Sequence, residues 1–260
     1  MQTIRIALAQ KDCTPFAVQK NLQTALGSIA LAMEQKADMI VFPEMFMTGY
    51  LLGKKAAESA LAPDSIYIVT LQHAARQSNI AVVMGFPEKG EDGQVYNSMM
   101  FIDRDGSIAY VYRKTHLFGE TDRAQFAPGQ EIKAFDTSFG RIGMQICYDI
   151  EFPETSRLLV LDGAQLICAA SANMYPYEKL HTMFAKVRAI ENHTPFAYVN
   201  AIGNDGTYTY CGQSCLIDAD GRSIAKAEEQ DILLIGEVAI GAVLEDKNMD
   251  YLQNRRQDIY

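Results

Sequence analysis

The sequence predicts an α/β fold arranged as an internally two-fold sandwich. Short apolar strands alternate with amphipathic helices along most of the 260 residues, an order typical of parallel sheets covered by helices. The series strand, helix, strand, helix, strand and hairpin occurs in each half of the chain. An Asp-Gly turn closes both hairpins, as IDRDG at 102–106 and IDADG at 217–221. Because Asp-Gly is common in turns, the prediction of an internal two-fold rests mainly on the repeated order of strands and helices.

Local patterns define the elements of the first half. They predict a strand at 3–10, a helix at 18–37, a strand at 38–44, a helix at 65–79, a strand at 80–88 and hairpin strands at 96–103 and 107–114. The first helix is indicated by a spacing of four, three and four, which places on one face Leu22, Leu26, Ile29 and Met33. The hairpin is indicated by the turn residues between its two strands.

The second half repeats this order. The patterns predict a strand at 140–147, a helix at 153–163, a strand at 164–170, a helix at 178–193, a strand at 195–202 and a hairpin at 213–227. Pro153 begins its helix and Gly163 follows the end, the usual places for these residues. Since no linker or low-complexity segment interrupts the chain, we expect a single domain over 1–260. Residues 241–260 form a charged tail, either solvated or laid as an arm on a partner subunit.

Composition argues against several classes of partner. The formal net charge is -9 and no block of lysine and arginine stands out, so we expect no nucleic-acid and no anionic-membrane partner. No apolar stretch reaches the ~18 residues that span a bilayer. The N-terminus is predicted to be a strand and lacks the regions of a signal peptide. These features predict a cytoplasmic protein.

The cysteines indicate a reducing compartment and free thiols. There are five, an odd and sparse set without a CxxC pair, which is unlike a disulfide framework. They are Cys13, Cys147, Cys168, Cys211 and Cys215. Neither the cysteines nor the four histidines follow a metal-ligand spacing, so we expect no metal site.

Three predicted strands each end in one ionisable residue: Glu44, Lys114 and Cys147. Active-site residues of α/β folds gather at the carboxyl ends of strands. Taken singly, each has an ordinary explanation as a turn carboxylate, a solvated strand end or a buried core thiol. Taken together, they form a working chemical set, and we interpret them as a candidate active site.

The set has a clear chemical use. The nucleophilic form of cysteine is the thiolate, which requires a base or a nearby cation. Glu44 can accept the thiol proton, and Lys114 with the backbone N–H of Tyr148 can stabilise an oxyanion. His116 and His181 show no motif that pairs either with Cys147, which argues against a Cys-His arrangement.

Four segments together resemble the carbon–nitrogen hydrolase family, also called the nitrilase superfamily, in its amidase-like branch. They are VFPEMFMTGY, YRKTHLF, GMQICYDIEFPE and RAIENHTPFAYVNAIG, and the resemblance extends in order over essentially the whole chain. It implies a four-layer α-β-β-α sandwich, Glu-Lys-Cys catalysis without a cofactor, and a dimer that stacks two sandwiches. The family's base, lysine and nucleophile correspond to Glu44, Lys114 and Cys147.

The chain departs from the family at a second glutamate, which lies four residues before an aromatic. Counting back from Phe126 gives Asp122, and Glu120 lies two residues earlier. Either carboxylate could keep Lys114 protonated, or either could be a solvated loop residue. Tyr50, Asn173 and Met174 are candidates for a pocket wall, and each could instead be a core residue. Arg188 and Glu191 lie three apart on one predicted helix and could form either a supporting network or a surface ion pair.

These features together predict an amidase that hydrolyses a small linear amide through a cysteine thioester. A nitrile or an N-carbamoyl group is an alternative substrate for the same chemistry. A different alternative is a catalytically silent member of the family that binds a partner. A third is a redox sensor, in which Cys168 would be the thiol that resolves Cys147.

Overall fold

The computed structural model describes residues 2–241 and 247–259. Their strands are β1 (Gln2–Gln10), β2 (Met39–Val41), β3 (Ala81–Lys89), β4 (Val95–Ile102), β5 (Ile108–Arg113), β6 (Phe135–Thr137), β7 (Gly140–Ile146), β8 (Leu166–Ser171), β9 (Phe196–Asn200), β10 (Ile202–Asn204), β11 (Thr209–Cys211), β12 (Cys215–Ile217), β13 (Ser223–Lys226) and β14 (Ile232–Ile240). Their α-helices are α1 (Val18–Glu34), α2 (Ala56–Ser59), α3 (Ile66–Ser78), α4 (Gly119–Arg123), α5 (Pro153–Leu161) and α6 (Leu180–Asn192).

Two six-stranded sheets have the same topology. The first has the order β14-β1-β2-β3-β4-β5 and the second β6-β7-β8-β9-β12-β13. In each sheet three parallel strands lie in the middle, as β1-β2-β3 and β7-β8-β9. An antiparallel pair extends one side, and a single antiparallel strand, β14 or β6, closes the other. This repeated arrangement confirms the predicted internal two-fold.

The apolar residues separate into layers that define an α-β-β-α sandwich. Because side chains alternate along a strand, Ile6 and Leu8 of β1 enter a core shared by both sheets, whereas Ala7 packs toward α1 and α3. A third cluster joins the second sheet to α5 and α6. Each fully buried aliphatic side chain contributes about 1.5–3 kcal/mol to the free energy of folding. The shared core and the two clusters between sheet and helices confirm the predicted four layers.

Two predicted elements are too long, and every other predicted boundary lies within two residues of the structure. The first helix ends at Glu34, and Lys36 adopts a left-handed conformation with φ of 59°. Met33, predicted on the apolar face, is 47% exposed. The strand predicted at 38–44 ends at Val41, because Pro43 has no N–H to continue the ladder.

The sequence patterns missed β14, which pairs with β1 along its whole length. Beyond it, the described part of the tail lies against its own chain, where Tyr251 and Asn254 face Val187 of α6 across a cavity of about 590 Å³. Tyr260 of the predicted arm lies outside the described residues. Within the described ranges, no helix combines the length and the apolar character needed to cross a membrane.

A close contact with β3 fixes the chain just after β2. A Cβ at Gly85 would lie 2.3 Å from the carbonyl oxygen of Pro43 and 2.9 Å from the Cα of Glu44. Separations this short do not occur for real side chains, so one of the two backbones would have to move. Glycine is therefore required here if the Pro43–Glu44 turn is to keep its position.

We predict that Gly85→Ala lowers the free energy of unfolding by about 1–3 kcal/mol, the usual cost of overpacking a core. Urea unfolding curves measure this quantity. Gly27→Ala is the matched control, because Gly27 lies in α1 with nothing within 4 Å of its added Cβ. That control should raise the free energy of unfolding by up to about 1 kcal/mol. Equal effects of the two substitutions would contradict the proposed close approach.

Candidate active site

Glu44 lies in the turn after β2, and its carboxylate is held by three donors. Its Oε1 atom accepts hydrogen bonds from Asn97 Nδ2 at 2.6 Å and from Lys114 Nζ at 2.9 Å. Its Oε2 atom accepts from the backbone N–H of Ala172 at 2.7 Å. Since Ala172 follows β8, this carboxylate joins the carboxyl ends of strands from both sheets.

Lys114 follows β5 and is completely buried between two carboxylates. Its Nζ atom lies 2.9 Å from Glu44 Oε1 and 2.7 Å from Asp122 Oδ2. Burial alone would lower the pKa of Lys114, but the charges of Glu44 and Asp122 outweigh burial and raise the pKa well above its ordinary value. The ammonium is therefore charged near neutral pH.

Asp122, and not Glu120, is the acidic loop residue that contacts Lys114. Asp122 is fully buried in α4, and it also accepts hydrogen bonds from Tyr50 Oη at 2.6 Å and from the N–H of Phe118 at 2.8 Å. The Glu120 side chain is 94% exposed and pairs with Arg123 at 3.2 Å. The structure thus corrects the inclusion of Glu120 among the candidates, because its side chain points to solvent.

Cys147 begins a 3-10 turn, Cys147–Glu151, directly after β7. Its φ of 48° is left-handed, which costs a non-glycine residue about 1–3 kcal/mol. Burial and the nearby charge of Glu44 raise the pKa of Cys147 well above its ordinary value, although Lys114 and hydrogen bonds from Ser171 and the Ala172 N–H oppose this rise. Cys147 is therefore a thiol at rest and requires a base.

Asp149 connects the chain around Lys114 to the chain around Cys147, and sequence reasoning missed this role. Its carboxylate accepts hydrogen bonds from Tyr112 Oη at 2.9 Å, Thr115 Oγ1 at 2.8 Å, the N–H of His116 at 2.9 Å and the N–H of Ile146 at 3.1 Å. The only sequence signal was a carboxylate two residues after Cys147. Its donors could not be identified, because most lie more than thirty residues away.

Arg188 supports the turn that begins at Cys147. Its guanidinium donates to the carbonyl oxygens of Ile150 and Glu151, both at 3.0 Å, and to Glu191 Oε1 at 3.0 Å. The arginine is buried, with only 4% of its surface exposed. Of the two interpretations left open, the structure favours a supporting network over a surface ion pair.

The remaining candidates form walls near these groups. Tyr50 and Met174 pack in one buried apolar cluster. The side-chain amide of Asn173 donates to the carbonyl oxygen of Tyr177 at 3.1 Å and to Cys211 Sγ at 3.6 Å, so the fold itself holds this group. Its predicted role as a substrate contact is therefore not supported by the direction of its amide.

Aromatic rings line the chain beside Cys147. Phe118 makes edge contacts with Tyr148 and Tyr177, with ring centroids 5.4 and 6.1 Å apart. Tyr148 also contacts the ring of Phe152 at 5.0 Å. Because Tyr148 is the residue after Cys147, these aromatic rings border the candidate nucleophile.

The geometry does not favour a redox pair of Cys147 and Cys168. In the β7–β8 ladder Cys168 pairs with Met144, three residues before Cys147, which is roughly 10 Å along a strand. A disulfide requires a much shorter separation, and the Cys168 sulfur instead contacts Met39 Sδ at 3.8 Å. Residues 2–241 and 247–259 contain no group of three potential ligands that could hold a metal ion.

Comparisons with known proteins agree with this arrangement. A family model described as carbon-nitrogen hydrolase matches residues 5–247. A Pseudomonas protegens protein named "Hydrolase in pqqF 5'region" is 38% identical over 100% of this chain and 92% of its own length. An (R)-stereoselective amidase from a Pseudomonas species is 35% identical over 91% of this chain and 85% of its own.

A solved structure is also similar throughout. It is a mutant amidase from Nesterenkonia sp. AN1 in which the acetamide moiety of fluoroacetamide is covalently added to the active-site cysteine. It superimposes with a TM-score of 0.88 at 27% identity, over 98% of this chain and 95% of the other. These matches identify an enzyme that hydrolyses carbon–nitrogen bonds other than peptide bonds. The chain belongs to the carbon–nitrogen hydrolase family, within the nitrilase superfamily.

Proposed function

We propose that the protein is an amidase that hydrolyses a small linear amide to a carboxylate and ammonia or an amine. Cys147 is the nucleophile, Glu44 the general base and Lys114 the electrostatic stabiliser. The observation that carries this proposal is the buried contact of Lys114 with both Glu44 and Asp122, next to a cysteine with a strained backbone. We expect neither a metal nor an organic cofactor to take part.

In the proposed acylation, Glu44 removes the thiol proton of Cys147. A carboxylate can accept about four hydrogen bonds, and three donors already bind Glu44, which leaves a position for this proton. The thiolate attacks the amide carbon, and Lys114 with the backbone N–H of Tyr148 stabilises the oxyanion. The C–N bond then breaks, Glu44 returns the proton to the leaving nitrogen, and a thioester remains.

In the proposed deacylation, Glu44 acts on a water molecule. It accepts one proton from the water while the resulting hydroxide attacks the thioester carbon. The C–S bond breaks, the acid leaves, and the proton held by Glu44 returns to the sulfur of Cys147. One group thus serves as base and acid in both halves of the reaction.

An amide is the substrate class that the relatives support best, because two of them are named as amidases and one carries an acetamide adduct on its cysteine. The aromatic residues Phe118, Tyr148 and Tyr177 suit a neutral acyl group. Nitrile hydrolysis is a second candidate, since a Pyrococcus abyssi relative is named a nitrilase. N-carbamoyl hydrolysis uses the same residues.

We also propose that the protein acts in the cytoplasm as a homodimer or larger homo-oligomer. Leu158 and Leu161 of α5 and Met183 and Val187 of α6 are each more than 40% exposed on the outer helix layer. Exposed apolar residues grouped in this way are typical of contacts between subunits. The tail that lies beside α6 flanks the same surface.

We predict that Cys147→Ala lowers kcat for the best amide by about 10⁴-fold or more, as loss of a nucleophile does in other acyl-transfer enzymes. Ammonia release would be measured over aliphatic amides, monoamides of dicarboxylic acids, N-carbamoyl compounds and nitriles. Cys168→Ala is the matched control, because that thiol packs in the core away from the site. Activity retained in Cys147→Ala would contradict the mechanism, and faster turnover of nitriles would contradict the substrate class.

We predict that Asp122→Asn lowers kcat/KM by about 10²-fold, because the substitution removes one of the two charges that hold the Lys114 ammonium. Glu120→Gln is the control and should change kcat/KM by less than about twofold, as its exposed carboxylate pairs with Arg123 on the surface. Thermal unfolding of both variants would verify folding. Equal losses in the two variants would contradict the assignment of Asp122.

We predict that light scattering at micromolar concentration gives at least twice the 28.9 kDa mass of one chain. The double substitution Leu161→Glu with Met183→Glu should shift the mass toward one chain, because paired subunits would bury the new charges. Ile66→Glu, at an apolar position on α3 in the opposite helix layer that is more exposed than either of these, should leave the mass unchanged. A monomeric wild-type protein would refute the proposed association.

A further inference from the structure

A buried chain of polar side chains leads from Cys147 to α6, and the proposed mechanism does not use it. Ser171 Oγ lies 3.1 Å from His181 Nδ1, and His181 Nε2 lies 3.3 Å from Glu151 Oε1. Ser171 is fully buried, and His181 is only 2% exposed. A histidine in this position requires an explanation, because an imidazole can gain or lose a proton near neutral pH.

Ser171 makes the link to the nucleophile. In the β7–β8 ladder Ile146 pairs with Ala170, so the next residues, Cys147 and Ser171, lie side by side. The Ser171 hydroxyl is hydrogen-bonded to the sulfur, and this bond lowers the pKa of Cys147 against the stronger effects of burial and Glu44. The serine therefore touches both Cys147 and His181.

The donors and acceptors around Ser171 allow two arrangements of the hydrogen bonds among Cys147, Ser171 and His181, with Tyr198 Oη as a further neighbour of His181 Nδ1 at 3.3 Å. The Asn173 N–H donates to Ser171 Oγ at 3.2 Å in both. If His181 is neutral, with its proton on Nε2 facing Glu151, the serine donates to Nδ1 and accepts from the thiol of Cys147. If His181 is protonated on both nitrogens, Nδ1–H donates to the serine, and the serine donates to a thiolate.

We propose that His181 is a positioning residue that, through Ser171, determines whether the sulfur of Cys147 receives a hydrogen bond as a thiolate. The two arrangements hold the same number of protons: the S–H proton passes to Ser171 Oγ while the serine's own proton passes to His181 Nδ1. This inference rests on the proposed role of Cys147 as nucleophile. It adds a second group, besides Glu44, whose protonation is coupled to that of the thiol.

A carboxylate and a phenol face the two nitrogens of the His181 ring. Glu151 faces Nε2 from the turn after Cys147, and Tyr198 Oη lies 3.3 Å from Nδ1 on the β9 side. Burial raises the pKa of Tyr198 well above its ordinary value, so its hydroxyl stays neutral. Arg188, from the helix that carries His181, binds the carbonyl oxygen of Glu151 and not the carboxylate, so this charge remains available to His181.

The pH dependence of Cys147 alkylation tests the proposal. Iodoacetamide labelling of the full-length protein would be followed by mass spectrometry at the Cys147 peptide between pH 5 and 9. An isolated thiol reacts about tenfold faster per pH unit while its thiolate is a minor form. In the wild type we expect this rise to flatten once the Cys147–His181 pair has lost its first proton. The two arrangements that remain hold the same number of protons, so their ratio, and with it the thiolate fraction, no longer depends on pH.

Ser171→Ala should remove the flattening and make alkylation at pH 7 about tenfold slower, since it deletes a hydrogen bond to a charged group. If Ser171 had a purely structural role, Ser171→Ala would change the alkylation rate of Cys147 by the same factor at every pH. The slope of that rate against pH would then stay as in the wild type. Ser156→Ala is the matched control, because this buried hydroxyl bonds Gln145 at 3.1 Å and lies outside the chain of side chains. Its profile should match the wild type.

Glu151→Gln gives an independent readout if Ser171→Ala folds poorly. It retains a hydrogen-bond acceptor for Nε2–H but removes the charge that stabilises the imidazolium, so the flattening should begin at lower pH. A wild-type rate that rises tenfold per pH unit throughout, with the slope of Ser171→Ala, would overturn the inference. Full alkylation of Cys147 that leaves amide hydrolysis intact would overturn the proposed function as well, whatever the slopes.

Discussion

The structure of the site depends on one constraint, the burial of the Lys114 ammonium. Removing an ammonium from water costs several kcal/mol unless opposite charges and hydrogen bonds replace the water. Glu44 and Asp122 supply the charges at 2.9 and 2.7 Å. Each carboxylate then needs its own donors, and these come from Tyr50 and Asn97, together with backbone N–H groups. The turns that carry these carboxylates and donors must therefore lie close around the buried ammonium of Lys114.

The same cluster explains why the thiol of Cys147, the proposed nucleophile, is neutral at rest. Two carboxylates face one ammonium, so a thiolate at Cys147 would add a second uncompensated negative charge in a buried space. The proton therefore stays on sulfur until a group next to it accepts it. Glu44 can do this when substrate provides a partner for the developing charge on oxygen, while Ser171 and His181 offer a hydrogen bond to the sulfur. In the proposed mechanism, the electrostatic stabilisation of this site is therefore directed at the transition state and not at a resting thiolate.

Much of the fold could be predicted from sequence, and so could the grouping of the central residues of the candidate site, because both follow local rules. Strand ends identified Glu44, Lys114 and Cys147, and periodicity identified most helices and strands. Asp149 and His181 could not be assigned in this way. Asp149 meets its donors Tyr112, Thr115 and His116 only because the two halves pack together, and His181 meets Ser171 where α6 crosses the second sheet. Neither contact is encoded in a short window of sequence. β14 was missed for a similar reason, because its identity as a strand is fixed by pairing with β1 at the other end of the chain.

The internal two-fold also accounts for the way the site is divided. β2 and β8 occupy equivalent positions in the two sheets, and their facing side chains meet where Cys168 contacts Met39 in the shared core. Immediately beyond these strands, Glu44 of the first half accepts a hydrogen bond from Ala172 of the second. The first half thus contributes Glu44 and the buried ammonium of Lys114, whereas the second contributes Cys147 and the backbone N–H that holds Glu44. Neither half brings these residues together by itself, so the proposed chemistry depends on packing the two sheets face to face, and a change in their relative position would separate Cys147 from Glu44.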